Sequence, residues 1–362
     1  MNTKTLITGI STIVCLLFMT YPQSGIAQEG KAELNLGARL LPLSEEGIFR
    51  DPNYYHWGGS IIKGDDGLYH LFYSRWEKAQ TFNGWLTASE IAHATSSKPS
   101  GPWSYKETVL KGRGKGHWDA ITAHNPKIKY FEGKYYLYYI ATNMGDQPYT
   151  DKDLAMSSTQ KVDRDIWEIL RANQRTGLAV ANSLDGPWER AEAPLIEPSG
   201  PIANITVNPA IARGKDGLYY LIVKGDKPNE TRFIRHQAIA TAHSPAGPFT
   251  MQDEPVIDNL DTEDVSMFYD EQEARFYAIF HAHSFIGLMT SADGLHWTKA
   301  QNYKVTDKKV LLNDGSVLTP NRMERPFVYT EEDQAKVLCL AIKKGDDAYT
   351  IFIPLLAPQG RQ

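Results

Sequence analysis

Glu263-Asp264 in "DTEDVSMFYD" and Glu324-Arg325 in "NRMERPFVY" each stand a few residues ahead of an apolar hairpin. Three earlier hairpins carry Trp57-Gly58, His124-Asn125 and Val207-Asn208 at the matching position, and Pro follows in three of the five, at Pro126, Pro209 and Pro326. Pro fits the first residues of a strand, where no ladder donor is needed. Carboxylates that converge among aromatic side chains perform general acid and base chemistry on a glycosidic bond. One carboxylic acid protonates the departing oxygen, while a second carboxylate activates water or attacks carbon. Trp and Tyr faces stack on a sugar ring, and Asn, His and Arg bond its hydroxyls. The candidate acids are Glu263, Asp264 and Glu324, with Asp51 in "FRDPNYYHWGG" and Asp119 in "GHWDAITAHNP" a few residues upstream of the first two hairpins. The candidate sugar contacts are Trp57, His124, Asn125, Asn208 and Arg325, together with Arg75 and Trp76 at the end of a strand.

These residues lie far apart in sequence, so a repeated scaffold must gather them. The hairpin occurs at "SIIKGDDGLYHLFYSRW", "KIKYFEGKYYLYYIATN" and "AIARGKDGLYYLIVKGD", and in weaker form at "SMFYDEQEARFYAIFHAH" and "FVYTEEDQAKVLCLAIKKGD". Each copy is an apolar strand, a charged turn and a strand rich in β-branched and aromatic residues. Four copies are followed by a small-residue strand and a Pro/Gly turn ending in an aromatic, as in "IAHATSSKPSGPW" and "GLAVANSLDGPW"; the fifth ends in "AYTIFIPLL". The recurring aromatics Trp103, Trp188, Phe249 and Trp297 read as architectural. Five units of four antiparallel strands, with no strong helical period between them, predict an all-β five-bladed β-propeller. Long insertions at 77–88, 144–175 (with a short helix over "DRDIWEILRANQR") and 226–236 fall on one face of such a ring and predict a pocket there.

Composition sets the outer bounds. The chain of 362 residues is 42% hydrophobic and 22% charged, which is globular. A net charge of −5 with no basic face argues against nucleic acid. Residues 1–27 read as a signal peptide: Lys4, an apolar run from Leu6 to Met19, then Gly25-Ile26-Ala27. The mature chain, 28–362, is expected to be one exported domain, secreted or periplasmic, monomeric and without a membrane anchor. Signal removal leaves Cys339, whose setting "AKVLCLAI" predicts a buried inert thiol. His281 and His283 in "FHAHSF" share one strand face and read as packing residues, and no metal site is expected.

The "GKYYLYY"-type hairpins and "GPW" elements resemble those of the five-bladed propeller glycoside hydrolases, similar to family 43 and its relatives in families 32, 62, 117 and 130. "MERPFV" is similar to a Glu-Arg-Pro segment of some galactan-acting family 43 members. The resemblance implies hydrolysis of a glycosidic bond in an oligo- or polysaccharide by three channel-mouth acids, with no organic cofactor. Calcium at the channel occurs in some relatives, but no ligand set here specifies it. The family's acids in the first two blades are replaced by Gly58 and Asn125, and Asn208 stands in the third. Asp51 and Asp119 could supply them; the chemistry could instead rest on Glu263, Asp264 and Glu324, or His124 could act as the acid, as family 117 resembles in using a His. A carbohydrate-binding propeller without catalysis, and a propeller lyase or phosphorylase, are the alternatives.

Overall fold

A computed structural model describes Met1 and residues 33–159, 164–230, 234–257 and 260–357, so the expected signal peptide lies outside the described residues apart from Met1. Residues from Glu33 onward form one compact unit. Among the described residues, five four-stranded antiparallel sheets make a five-bladed β-propeller, as the repeats predict. Blade one is Tyr54–Lys63, Tyr69–Glu77, Glu90–Ser96 and Ser104–Leu110. Blades two, three and four open with Thr122–Phe131, Ala203–Arg213 and Thr262–Asp270. Blade five is Arg322–Glu331, Gln334–Lys344 and Asp347–Pro354, and its fourth strand is Ile48–Phe49 from the other end of the propeller sequence. Ile48 pairs with Ile351 and Phe49 with Thr350, so the ring closes across blade five, a feature the repeats do not reveal.

The hairpins are tight where the sequence supplies turn residues. In blade two Phe131 pairs with Lys134 around Glu132-Gly133, both at positive φ, the geometry of a two-residue loop that follows strand twist. The second strands are buried almost throughout: Tyr135 to Thr142 in blade two and Tyr219 to Asp226 in blade three. Both faces of each sheet pack on neighbours, so apolar residues run continuously instead of alternating. Five hydrophobic clusters accordingly lie at the blade borders, one at each, holding for example Tyr139 between blades one and two and Tyr219 between two and three. Cys339 lies in the cluster of blades one and five with no exposed surface, and burial pushes its thiol up to about 12. It is the inert thiol expected.

The insertions fold locally. Residues 77–88 make two short 3-10 turns, Lys78–Gln80 and Phe82–Leu86; residues 144–175 carry the helices Asp151–Thr159 and Arg164–Ala172. Leu86, Met144, Leu154 and Leu170 pack these insertions into one small cluster. No helix among the described residues is long and apolar enough to cross a membrane.

Candidate active site

One irregularity is repeated in all five inner strands. Trp57 pairs with Ser74, but the next pair is Ser60 with Phe72, so Gly58 and Gly59 on one strand face Tyr73 alone on the other. The same one-residue bulge separates His124 from Lys127, Val207 from Ala210, Glu263 from Ser266 and Glu324 from Phe327. The residue after each paired position adopts positive φ: Gly58 (69°), Asn125 (50°), Asn208 (56°), Asp264 (60°) and Arg325 (56°). Gly, Asn and Asp adopt this conformation most readily, which accounts for four of the five types.

The bulge splits each polar pair into two roles. The second members meet beneath the cavity. Asn125 Nδ2 donates to Asn208 Oδ1 at 2.9 Å, Asn208 Nδ2 donates to Asp264 Oδ1 at 2.5 Å, and Arg325 Nη1 donates to Asn208 Oδ1 at 2.7 Å. Arg325 also forms a close ion pair with Asp264, whose other oxygen lies 2.9 Å from His281 Nδ1. Gly58 completes this floor by absence: a Cβ there would stand 2.7 Å from Arg325 Cβ. Burial alone would raise the Asp264 carboxyl, but Arg325 and His281 outweigh it and hold Asp264 ionised far below the ordinary range.

The first members, Trp57, His124, Val207, Glu263 and Glu324, line a cavity of about 310 Å³ above this floor. Trp76 lines it too, with its indole N–H donating to Thr81 O at 3.0 Å, and the insertions add Phe82, Trp85, Trp167 and Arg171. Glu263 faces Lys224 Nζ at 2.9 Å and Arg235 Nη1 at 2.7 Å. Burial pushes its carboxyl up, yet Lys224 and then Arg235 more than offset this and hold it at about 2. Glu324 is gripped by Arg322 through both oxygens, at 2.6 and 3.2 Å. Burial drives the His124 imidazole well below its ordinary value, with Arg325 adding to the effect. A neutral ring, 2.7 Å from Ser89 Oγ, suits a hydroxyl contact and not the acid role.

Three expected site residues lie elsewhere. Asp51 does not line the cavity; its Oδ1 accepts from the backbone N–H groups of Asn53 (2.7 Å) and Tyr54 (3.2 Å), closing the Asp-Pro turn. Asp119 has no exposed surface and binds Arg113 Nε (2.5 Å), Arg190 Nη1 (3.2 Å) and the Tyr139 hydroxyl (2.9 Å), an ionic knot in blade two. Arg75 is buried between the Tyr54 and Tyr105 rings, at 4.3 and 4.1 Å, and donates to Glu90 at 2.8 Å, so it has no face for sugar. Asn125 and Asp264 sit in the floor, whereas Asn208 and Arg325 reach the cavity. Sequence reasoning missed Lys224, Arg235, Trp85, Trp167 and Arg171. The last four lie on the three insertions, whose length was the available signal; nothing in the pattern marks Lys224.

No protein-family model matches the sequence, and no curated protein does. Solved structures share the fold. A family 117 glycoside hydrolase from Zobellia galactanivorans aligns over 88% of this chain and 89% of its own, with a TM-score of 0.60 at 17% identity. An endo-arabinase from Bacteroides thetaiotaomicron aligns over 90% and 99%, with a TM-score of 0.52 at 12% identity. Fructan 1-exohydrolase IIa from Cichorium intybus aligns over 88% of this chain and 60% of its own, with a TM-score of 0.59 at 14% identity. The resemblance read from the hairpins therefore holds for architecture: this chain has the five-bladed propeller fold of structures that include family 117 and family 43 glycoside hydrolases.

Proposed function

We propose that the protein is an exported glycoside hydrolase that cleaves a terminal sugar or short unit from an oligo- or polysaccharide. One observation carries this reading: Glu263 and Glu324, from adjacent blades, face a single cavity of about 310 Å³ walled by Trp57, Trp76, Trp85 and Trp167. That volume lies at the small end of ligand pockets, about 300–1,000 Å³, and suits one or two sugar rings. Glu263, ionised by its two cations, serves as the base or nucleophile. Glu324 serves as the acid once Arg322, whose side chain is 48% exposed, turns from it toward a substrate oxygen. Asp264 stays in the floor and positions Arg325. The insertions wall one end of the cavity, which supports exo action, and the apolar run from Leu6 to Met19 supports export.

The test is a screen of purified protein against a panel of polysaccharides, reading released sugars. Glu263→Gln and Glu324→Gln each lower kcat at least about 100-fold, the scale of acid/base catalysis. Unchanged turnover in both variants removes these assignments. A second reading, a sugar-binding propeller without catalysis, is favoured by the ion pairing of both cavity carboxylates and by Gly58, Asn125 and Asn208 at the acid positions. It is supported if calorimetry shows sugar affinity while no glycan yields product. A requirement for phosphate, or an unsaturated product, would instead identify a phosphorylase or a lyase.

A further inference from the structure

A relay of ionisable side chains runs through blade one to its border with blade two, apart from the cavity. His70 Nε2 lies 3.1 Å from Asp66 Oδ1, and His70 Nδ1 lies 2.8 Å from His93 Nε2. Asp66 is held ionised chiefly by its hydrogen bond from His70. An ionised carboxylate only accepts, so a neutral His70 donates through Nε2 and keeps a lone pair on Nδ1. The proton between the two rings then belongs to His93 Nε2. This leaves His93 Nδ1 as a bare lone pair.

That nitrogen is buried and has no hydrogen-bond partner, on a side chain with 0% exposure. It faces Glu107 Oε1 at 3.8 Å. Asp185, from the turn after the third strand of blade two, completes the group, with one ligand atom from each residue lying within 4.8 Å of the others. Three acceptors thus converge on one point. The cation beside them is Lys106, whose Nζ lies 2.5 Å from Asp185 Oδ1. The His93 ring is fully buried beside this group. Phe72 stacks on the ring at 4.6 Å and 9°, fixing its plane.

We propose that His93 Nδ1, Glu107 and Asp185 bind one divalent transition cation of the zinc or cobalt type, joining blade one to blade two. One imidazole and two carboxylates are a ligand set such ions accept, with water filling the remaining positions. The Asp66–His70 relay is the outer shell that fixes the tautomer of the ligating ring, as carboxylate partners do for metal-bound histidines. Glu107 and Asp185 have side-chain exposures of 45% and 59%, so both can turn inward to shorten the 4.8 Å spacing. Lys106, with a side-chain exposure of 39%, moves to solvent. None of these residues lines the cavity assigned to sugar.

The full-length protein, stripped with chelator and dialysed, is titrated with Zn2+ by calorimetry and with Co2+ by visible absorption. One equivalent is bound, and saturating Zn2+ raises the melting temperature. Glu107→Gln and Asp185→Asn, at a half-buried and an exposed position, each weaken binding at least about tenfold. His281→Gln, beside the other cluster of potential ligands at the floor of the cavity, leaves it unchanged. Absence of saturable binding by the unaltered protein overturns the proposal. So does binding that survives both carboxylate changes, or that disappears with His281→Gln.

Discussion

Asp119 has no surface in contact with water, yet two guanidinium groups and a phenol converge on its oxygens. A carboxylate so placed is structural. Removing its charge leaves Arg113 with Glu192 and Arg190 with the Lys111 carbonyl but takes away their buried anion, and breaking one side of a buried pair costs about 3–5 kcal/mol. Asp119→Asn is therefore expected to lower the unfolding free energy measured in urea by that much while the remaining folded protein keeps its kcat. A loss of turnover at unchanged stability would return Asp119 to the chemistry. In the sequence, Asp119 and Glu263 look alike: each is an acid near the start of an inner strand. What distinguishes them is company. Arg190 is 71 residues from Asp119, and Lys224 is 39 from Glu263, so no local pattern carries the difference.

The strand bulge is the element that turns sequence neighbours into wall and floor. Without it, Glu263 and Asp264 would simply point to opposite sides of the strand. The aligned column Gly58, Asn125, Asn208, Asp264 and Arg325 already contains the clue, since its first four types are those that tolerate left-handed backbone. Reading that column as a supply of catalytic acids overlooked its conformational meaning. Arg325 breaks the pattern and is held by Asp264 and Asn208. Gly58→Ala meets both costs at once: a β-carbon at a φ of 69° and a contact of 2.7 Å with Arg325 Cβ. The first alone is about 1–2 kcal/mol. The variant is expected to lose at least about 2 kcal/mol of unfolding free energy in denaturant titrations and to bind sugar more weakly as Arg325 shifts. Wild-type stability would show that the floor yields more easily than its packing implies.

At the scale of the ring, the repeated hairpins and "GPW" turns made blade number and strand count readable, because each unit has the same burial problem and solves it with the same residues. The closing strand was not readable. Ile48 and Phe49 are too short a run to signal a strand, and only pairing with Ile351 and Thr350 makes them one. Phe49 packs on Tyr73 at 5.1 Å and belongs to the core between blades one and five. Phe49→Ala is expected to cost about 3 kcal/mol, as for a large aromatic in a core. Thermal melts of this variant should show one lowered transition. An unchanged melting temperature would mean that the closing strand contributes nothing to the seam.

The seam also imposes an order in time. Residues 48 and 49 are made some three hundred residues before the strand they pair with, Asp347–Pro354. At roughly 5–20 residues per second, that is a wait of about 15–60 seconds with an unpaired edge on blade five's eventual partner. A nascent chain can stack its early blades, yet the circle locks only once Asp347–Pro354 has been made.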